Sequence, residues 1–129
     1  MQVVAAMPRV LVVDDDPDYL TILERLCGSC GAEVVAVANA ADARAALDEH
    51  EFDLMLLDLQ LPRQEGLPLI AEVEQDPRLA PKAVVVTGFA SVAPAFTKLP
   101  IIDKGRLENL SEFLKRMVGS GTPASPPAE

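Results

Sequence analysis

Basic side chains are scarce in this sequence: 11 Lys and Arg stand against 20 Asp and Glu, a formal charge of −9. A nucleic-acid backbone is held by clustered Lys and Arg, so this balance excludes DNA and RNA as partners and favours cations and basic protein surfaces. Long apolar runs are also lacking. None approaches the roughly 20 residues of a membrane span, and the opening MQVVAAM has neither the basic start nor the apolar length of an export signal. A cytoplasmic protein without membrane contact is expected. Cysteine occurs twice, as Cys27 and Cys30 in CGSC, and histidine once, as His50. A structural zinc site takes four such ligands, and no second cysteine pair exists to complete one. The cysteines fall late in a helical spacing of Tyr19, Leu23, Leu26 and Cys30, where they serve as small apolar residues and stay reduced in cytosol.

Half of the residues are hydrophobic, enough for one core at this length, and neither repeats nor an internal boundary divides the chain. The expected organisation is an N-terminal extension at 1–8, one domain over 9–118, and a tail or linker at 119–129. That tail, GSGTPASPPAE, is small and Pro-rich and buries too little surface to order itself. Continuous apolar runs at 10–13, 34–37, 54–57, 83–86 and, more weakly, 101–102 have the length and character of strands buried on both faces. Helical patterns lie between them. The first spans 17–29, opened by Asp16 as N-cap with Pro17 at the first position and closed by Gly31. Others follow at 40–49, 67–75 and 106–118, the last with Leu107, Leu110, Phe113, Leu114 and Met117 on one face.

Strands and helices alternating through short loops imply an α/β fold: a doubly wound, five-stranded parallel sheet with right-handed crossovers and helices on both faces. In such open sheets ligands collect beyond the carboxyl ends of the strands, where the winding direction reverses. Those ends carry Asp14 and Asp15 after the first run, Asp58 after the third, Thr87 after the fourth and Lys104 after the fifth. If the strand order is 2-1-3-4-5, the first and third strands are neighbours at the reversal and Asp14, Asp15 and Asp58 converge. Carboxylates crowded together repel and raise one another's pKa unless a cation or donors answer them. Three of them make a site for a hard divalent cation such as Mg2+, which keeps waters and leaves room for a phosphate oxygen. Asp58 is also costly after four apolar residues unless it has a partner. Asp16, directly before Pro17, is assigned to the helix N-cap, worth about 1 kcal/mol, and not to the metal.

VLVVDDDP, LMLLDLQLPRQEG and VVVTG, followed by Lys104, resemble the receiver domain of two-component response regulators over about residues 9–118. The resemblance implies a flavodoxin-like sheet and a role for each strand-end residue. Asp58 would be the phosphoacceptor, attacking the phosphorus of a phosphohistidine on a histidine kinase or phosphotransfer protein. Mg2+ would be held directly by Asp15 and Asp58, through water by Asp14, and by the backbone carbonyl of Gln60. Lys104 would pair with one phosphoryl oxygen and the Thr87 hydroxyl would move to bond another. Phosphoryl transfer asks for positioning and charge neutralisation, so a chain with one histidine suffices when the phosphohistidine belongs to the partner. The signal would pass on through contacts with an output protein or domain. Lys98, in FTKLP, is a rival for Lys104, but it follows Thr87 too closely to leave room for an intervening strand.

The match weakens between Thr87 and Lys104. This stretch, GFASVAPAFTKLPIIDKG, is several residues shorter than in a usual receiver, and Pro94 and Pro100 interrupt what would be the fourth helix. At most a turn or two is expected there, around 94–99, with its order resting on a few apolar side chains. Ile101 stands where the family often has an aromatic residue coupled to the threonine, and Gly105 where a proline commonly follows the lysine. Phe89, Val92, Phe96, Leu99 and Ile101 are read either as an altered partner surface or as ordinary core. Two other functions remain open. One is a non-phosphorylated pseudo-receiver that acts as a binding scaffold. The other is a haloacid-dehalogenase-type phosphatase, which VVDDDPD and VVVTG also resemble, with Asp14 as nucleophile, Asp16 as acid and Asp58 idle.

Overall fold

The computed structural model describes residues 8–119; the expected tail beyond 119 and the first seven residues of the expected extension lie outside the described residues. Within them the chain runs β1 (Arg9–Val13), α1 (Pro17–Ser29), β2 (Glu33–Val37), α2 (Ala40–Glu49), β3 (Leu54–Leu57), α3 (Gly66–Gln75), β4 (Ala83–Thr87), β5 (Ile101–Asp103) and α4 (Leu107–Leu114). All strands pair in parallel, in the order β2-β1-β3-β4-β5. The expected doubly wound sheet is present, with β1 and β3 side by side where the winding reverses.

Strand periodicity of two sorts the apolar side chains into two cores. Leu11, Val13, Met55, Leu57 and Val85 face α2 and α3, where Ala40, Ala43, Leu69, Ile70 and Val73 meet them. Val10, Val12, Leu54, Leu56, Val84 and Val86 face α1 and α4, against Tyr19, Leu23, Cys27, Leu110 and Leu114. Burial on both faces explains why these strands read as unbroken apolar runs, each large side chain contributing about 1.5–3 kcal/mol. Both cysteines are free thiols; Cys27 packs as a core residue and Cys30 is half-buried.

Helix ends follow their residues. Asp16 caps α1 by accepting from the Asp18 and Tyr19 amides, with Pro17 in the first turn. At the other end Gly31 takes φ 91°, and the Gly31 and Ala32 amides close the helix onto the Gly28 and Cys27 carbonyls. The final helix departs from expectation, since regular α-helix stops at Leu114 and a π-helical turn follows at Lys115–Gly119. Leu110 and Leu114 are buried, but Met117, expected on the same face, is 42% exposed. The described side chains of that turn, residues 115–117, are all exposed. The Leu107 side chain lies outside what is described.

Between β4 and β5 a single 3-10 turn, Ala93–Ala95, replaces a helix. The apolar residues of this stretch divide: Leu99 is buried and Ile101 packs against the α2–α3 core, whereas Phe89, Val92 and Phe96 are about half exposed. They border a shallow groove with Leu59, Leu61 and Leu67. Apolar packing alone does not hold the segment. The Glu74 carboxylate, from α3, accepts from the Thr97 hydroxyl at 2.8 Å and from the Lys98 amide at 3.1 Å. Thr97 Oγ1 in turn accepts from the Leu99 amide at 3.1 Å.

Candidate functional site

At the carboxyl edge of the sheet the strand ladder carries the acidic residues one step beyond the last apolar ones. The Asp14 amide donates to the Val37 carbonyl and the Asp58 amide to the Val13 carbonyl, both at 3.1 Å. Four of the five strands, β2 being the exception, then end in the same local device, a side-chain oxygen that accepts the amide two residues on. Asp14 takes the Asp16 amide at 2.9 Å, Asp58 the Gln60 amide at 3.2 Å, Thr87 the Phe89 amide at 3.1 Å and Asp103 the Gly105 amide at 2.8 Å. In both Asp14 and Asp58 this occupies Oδ1 and leaves Oδ2 aimed inward.

Lys104 answers those two oxygens. Its Nζ lies 2.6 Å from Asp14 Oδ2 and 3.0 Å from Asp58 Oδ2. Asp14 and Asp58 are buried, while Asp15, beside them, is exposed. One ligand oxygen from each of the three lies within 4.8 Å of the others. Three carboxylates against one ammonium leave the site with excess negative charge. Burial, opposed by the Lys104 hydrogen bond but reinforced by the neighbouring Asp14 charge, holds the Asp58 carboxyl above the usual carboxylate range. Burial alone would lower Lys104, but its hydrogen bonds to Asp14 and Asp58 outweigh that and keep the ammonium above its ordinary value. A hard, all-oxygen donor set with unneutralised charge fits a divalent cation of the Mg2+ type.

The structure therefore brings together Asp14, Asp15, Asp58 and Lys104. Thr87, fully buried at the end of β4, joins them through the backbone, since the Lys104 amide donates to its carbonyl at 2.9 Å. Gln60 is exposed and meets Asp58 through its amide. Lys98 is exposed on the shortened segment, its amide on Glu74, so Lys104 is the lysine of the cluster. Asp16 is exposed and caps α1, its Oδ1 accepting from the Asp18 and Tyr19 amides.

Sequence reasoning placed Tyr19 in the core and missed its second contact. Its ring lies 4.7 Å from Lys104 Nζ, and its hydroxyl donates to the Lys104 carbonyl at 3.3 Å. Burial pushes its ionisation up to about 12, so the hydroxyl remains a donor. A polar-tipped aromatic in the first turn of the helix that begins at the acidic loop was the available signal. Gly66 is the other: a Cβ there would fall onto the Leu59 carbonyl, so glycine alone lets α3 start against the loop that holds Asp58.

Residues 10–101 match the response regulator receiver domain family. The response regulator receiver protein CpdR of Brucella abortus (strain 2308) is 36% identical over 88 residues, covering 67% of this chain and 72% of that protein. Three other curated relatives are longer, and this chain spans 30%, 6% and 25% of their lengths. Among solved structures, a sensor protein from Polaromonas sp. JS666 superposes with a TM-score of 0.74 at 27% identity, over 91% of this chain and 100% of that one. The receiver domain of the sensor histidine kinase PA1611 from Pseudomonas aeruginosa PAO1, solved with magnesium in its active-site cleft, shares the fold at TM-score 0.72 and 21% identity, over 88% and 99% of the two chains. By its matched length and by its likeness to CpdR, this chain belongs to the response regulator receiver domain family of two-component signalling.

Proposed function

We propose that this domain accepts a phosphoryl group on Asp58 from the phosphohistidine of a histidine kinase or phosphotransfer protein, and signals through contacts with an output protein or domain. The observation that carries the reading is the inward pairing of Asp14 Oδ2 and Asp58 Oδ2 on one Lys104 ammonium, with Asp15 alongside. Asp58 acts as the nucleophile: an Oδ–phosphorus bond forms as the phosphorus–nitrogen bond to the partner's histidine breaks, and the imidazole leaves with that electron pair. The Gln60 amide on Oδ1 fixes the carboxylate so that Oδ2 faces the incoming group. Lys104 supplies positive charge to a phosphoryl oxygen, and the Thr87 hydroxyl turns from the Phe89 amide to a second one. Asp14, Asp15, Asp58 and the Gln60 carbonyl would hold Mg2+, whose chemistry is to neutralise charge on the transferring group. The domain thus assists its own modification and its reversal without acting as an enzyme on other molecules, and a cytoplasmic setting suits a kinase partner.

Incubation with Mg2+ and acetyl phosphate tests this, with intact-mass measurement of the product. One phosphoryl group is expected, lost in Asp58→Asn and kept in Asp16→Asn. Labelling that survives loss of Asp58 would overturn the assignment, and no labelling from several donors would leave a binding scaffold as the function.

A further inference from the structure

We propose that Tyr19 is a positioning residue of this site, holding Lys104 at both ends; the proposal rests on the phosphoacceptor function above. The ring sits 4.7 Å from the ammonium and the hydroxyl donates to the carbonyl of the same lysine at 3.3 Å. Lys104 needs such an anchor because of where it stands. It follows β5, a three-residue strand at the sheet edge, and opens a turn with Gly105. Its backbone is tied on one side by the bond from its amide to the Thr87 carbonyl, at 2.9 Å. Tyr19 ties the other side from α1, a helix of 13 residues packed in the second core. The lysine is thereby suspended between β4 and α1 and depends little on the shortened segment that precedes β5.

The ring also bears on the ammonium itself. With Asp14 Oδ2 at 2.6 Å and Asp58 Oδ2 at 3.0 Å, the cation is shared by two buried carboxylates and has the aromatic face as a further contact. When the charge to be met shifts from the carboxylates to a phosphoryl group, the face can follow the ammonium without a directional bond to break. A leucine at this position would fill the same apolar site beside Leu23 but would offer neither face nor hydroxyl. Core packing alone does not call for a tyrosine here.

The test compares Tyr19→Leu and Tyr19→Phe with wild type, alone and combined with Lys104→Met, by the rate of acetyl phosphate labelling in Mg2+. Tyr19→Leu is expected to slow labelling by about tenfold, and Tyr19→Phe to recover most of that loss. In the Lys104→Met background Tyr19→Leu should add nothing, because its effect passes through the lysine. The same slowing in both backgrounds, or full-rate labelling of Tyr19→Leu, would overturn the proposal. A readout free of phosphorylation is the ring-current shift of the Lys104 side-chain protons by NMR, expected in wild type and Tyr19→Phe and lost in Tyr19→Leu. Failure of wild type to label refutes the function proposed above, and the NMR shift then decides the anchor: its absence from wild type would overturn it.

Discussion

Asp58→Asn is expected to stabilise the metal-free fold, although it removes one side of an ion pair. The structure supplies the competing magnitudes. Attraction between Asp58 and Lys104 at 3.0 Å amounts to about 5.5 kcal/mol at an effective dielectric of ~20. Repulsion between Asp58 and Asp14, whose ligand oxygens lie within 4.8 Å, returns about 3.5 kcal/mol of that. Desolvation of a buried carboxylate costs several kcal/mol more, so loss of the charge wins by roughly 1–3 kcal/mol. The Asn amide oxygen still accepts from the Gln60 amide, and Lys104 keeps its shorter contact with Asp14. The sign also sets the pH dependence. Burial first, then the Asp14 charge, raise Asp58 in the fold, so its favourable protonated form is complete below the unfolded value and lost as pH rises through the folded one. The gap between variant and wild type should therefore be widest at neutral pH and close in acid. Urea unfolding followed by circular dichroism, with EDTA and again with millimolar Mg2+, measures it. Mg2+ should lift wild type by mass action and Asp58→Asn less, narrowing or reversing the order. A variant less stable than wild type in EDTA at neutral pH would refute this balance of charges.

Other substitutions probe the parts that position the site. Gly66→Ala should lower stability by roughly 1–3 kcal/mol or more, because its methyl meets the Leu59 carbonyl; an unchanged unfolding midpoint would show that the loop yields freely. Glu74→Ala should speed amide exchange at residues 97–99 and cost about 1–2 kcal/mol, and exchange equal to wild type there would show that apolar packing suffices. Burial first, with Cys30 adding to it, pushes the Cys27 thiol up to about 12, so iodoacetamide in mildly alkaline solution should modify half-buried Cys30 and reach Cys27 only on unfolding. Peptide mapping of the alkylated protein reads this, and equal labelling of both in the folded state would contradict the burial.

What could be read from the sequence was what local chemistry dictates. Asp16-Pro17 and Gly31 delimit α1 because a cap, a fixed φ and a left-handed φ are each properties of one residue. Strands buried on both faces announce themselves as apolar runs, and the sheet order then brings Asp14, Asp15 and Asp58 together. Pairings across the fold left no such trace. Tyr19 and Lys104 are 85 positions apart, and an aromatic at helical spacing is accounted for by the core. Glu74 reads as a charge on a solvated helix face until Thr97 is found against it. Phe89, Val92 and Phe96 defeated assignment for another reason. Turns and a 3-10 segment have no apolar period, so spacing could not tell exposed side chains from the buried Leu99.

The strand ends show why so compact a charge cluster can be held open for chemistry. Asp14, Asp58, Thr87 and Asp103 each use one oxygen to accept the amide two residues on, which turns the chain out of the sheet. The same bond fixes the side chain, so the remaining oxygens of Asp14 and Asp58 point at Lys104 without any separate device to orient them. Turn and site are thus one interaction, and substitutions that ignore this confuse the two. Asp58→Ala removes the charge and also frees the Gln60 amide, which unsettles the loop leading to Gly66 and α3. Asp58→Asn removes the charge and leaves the turn its acceptor. Any excess loss of stability in Asp58→Ala over Asp58→Asn is therefore the contribution of the turn, on the order of 1–2 kcal/mol for one hydrogen bond to a backbone amide.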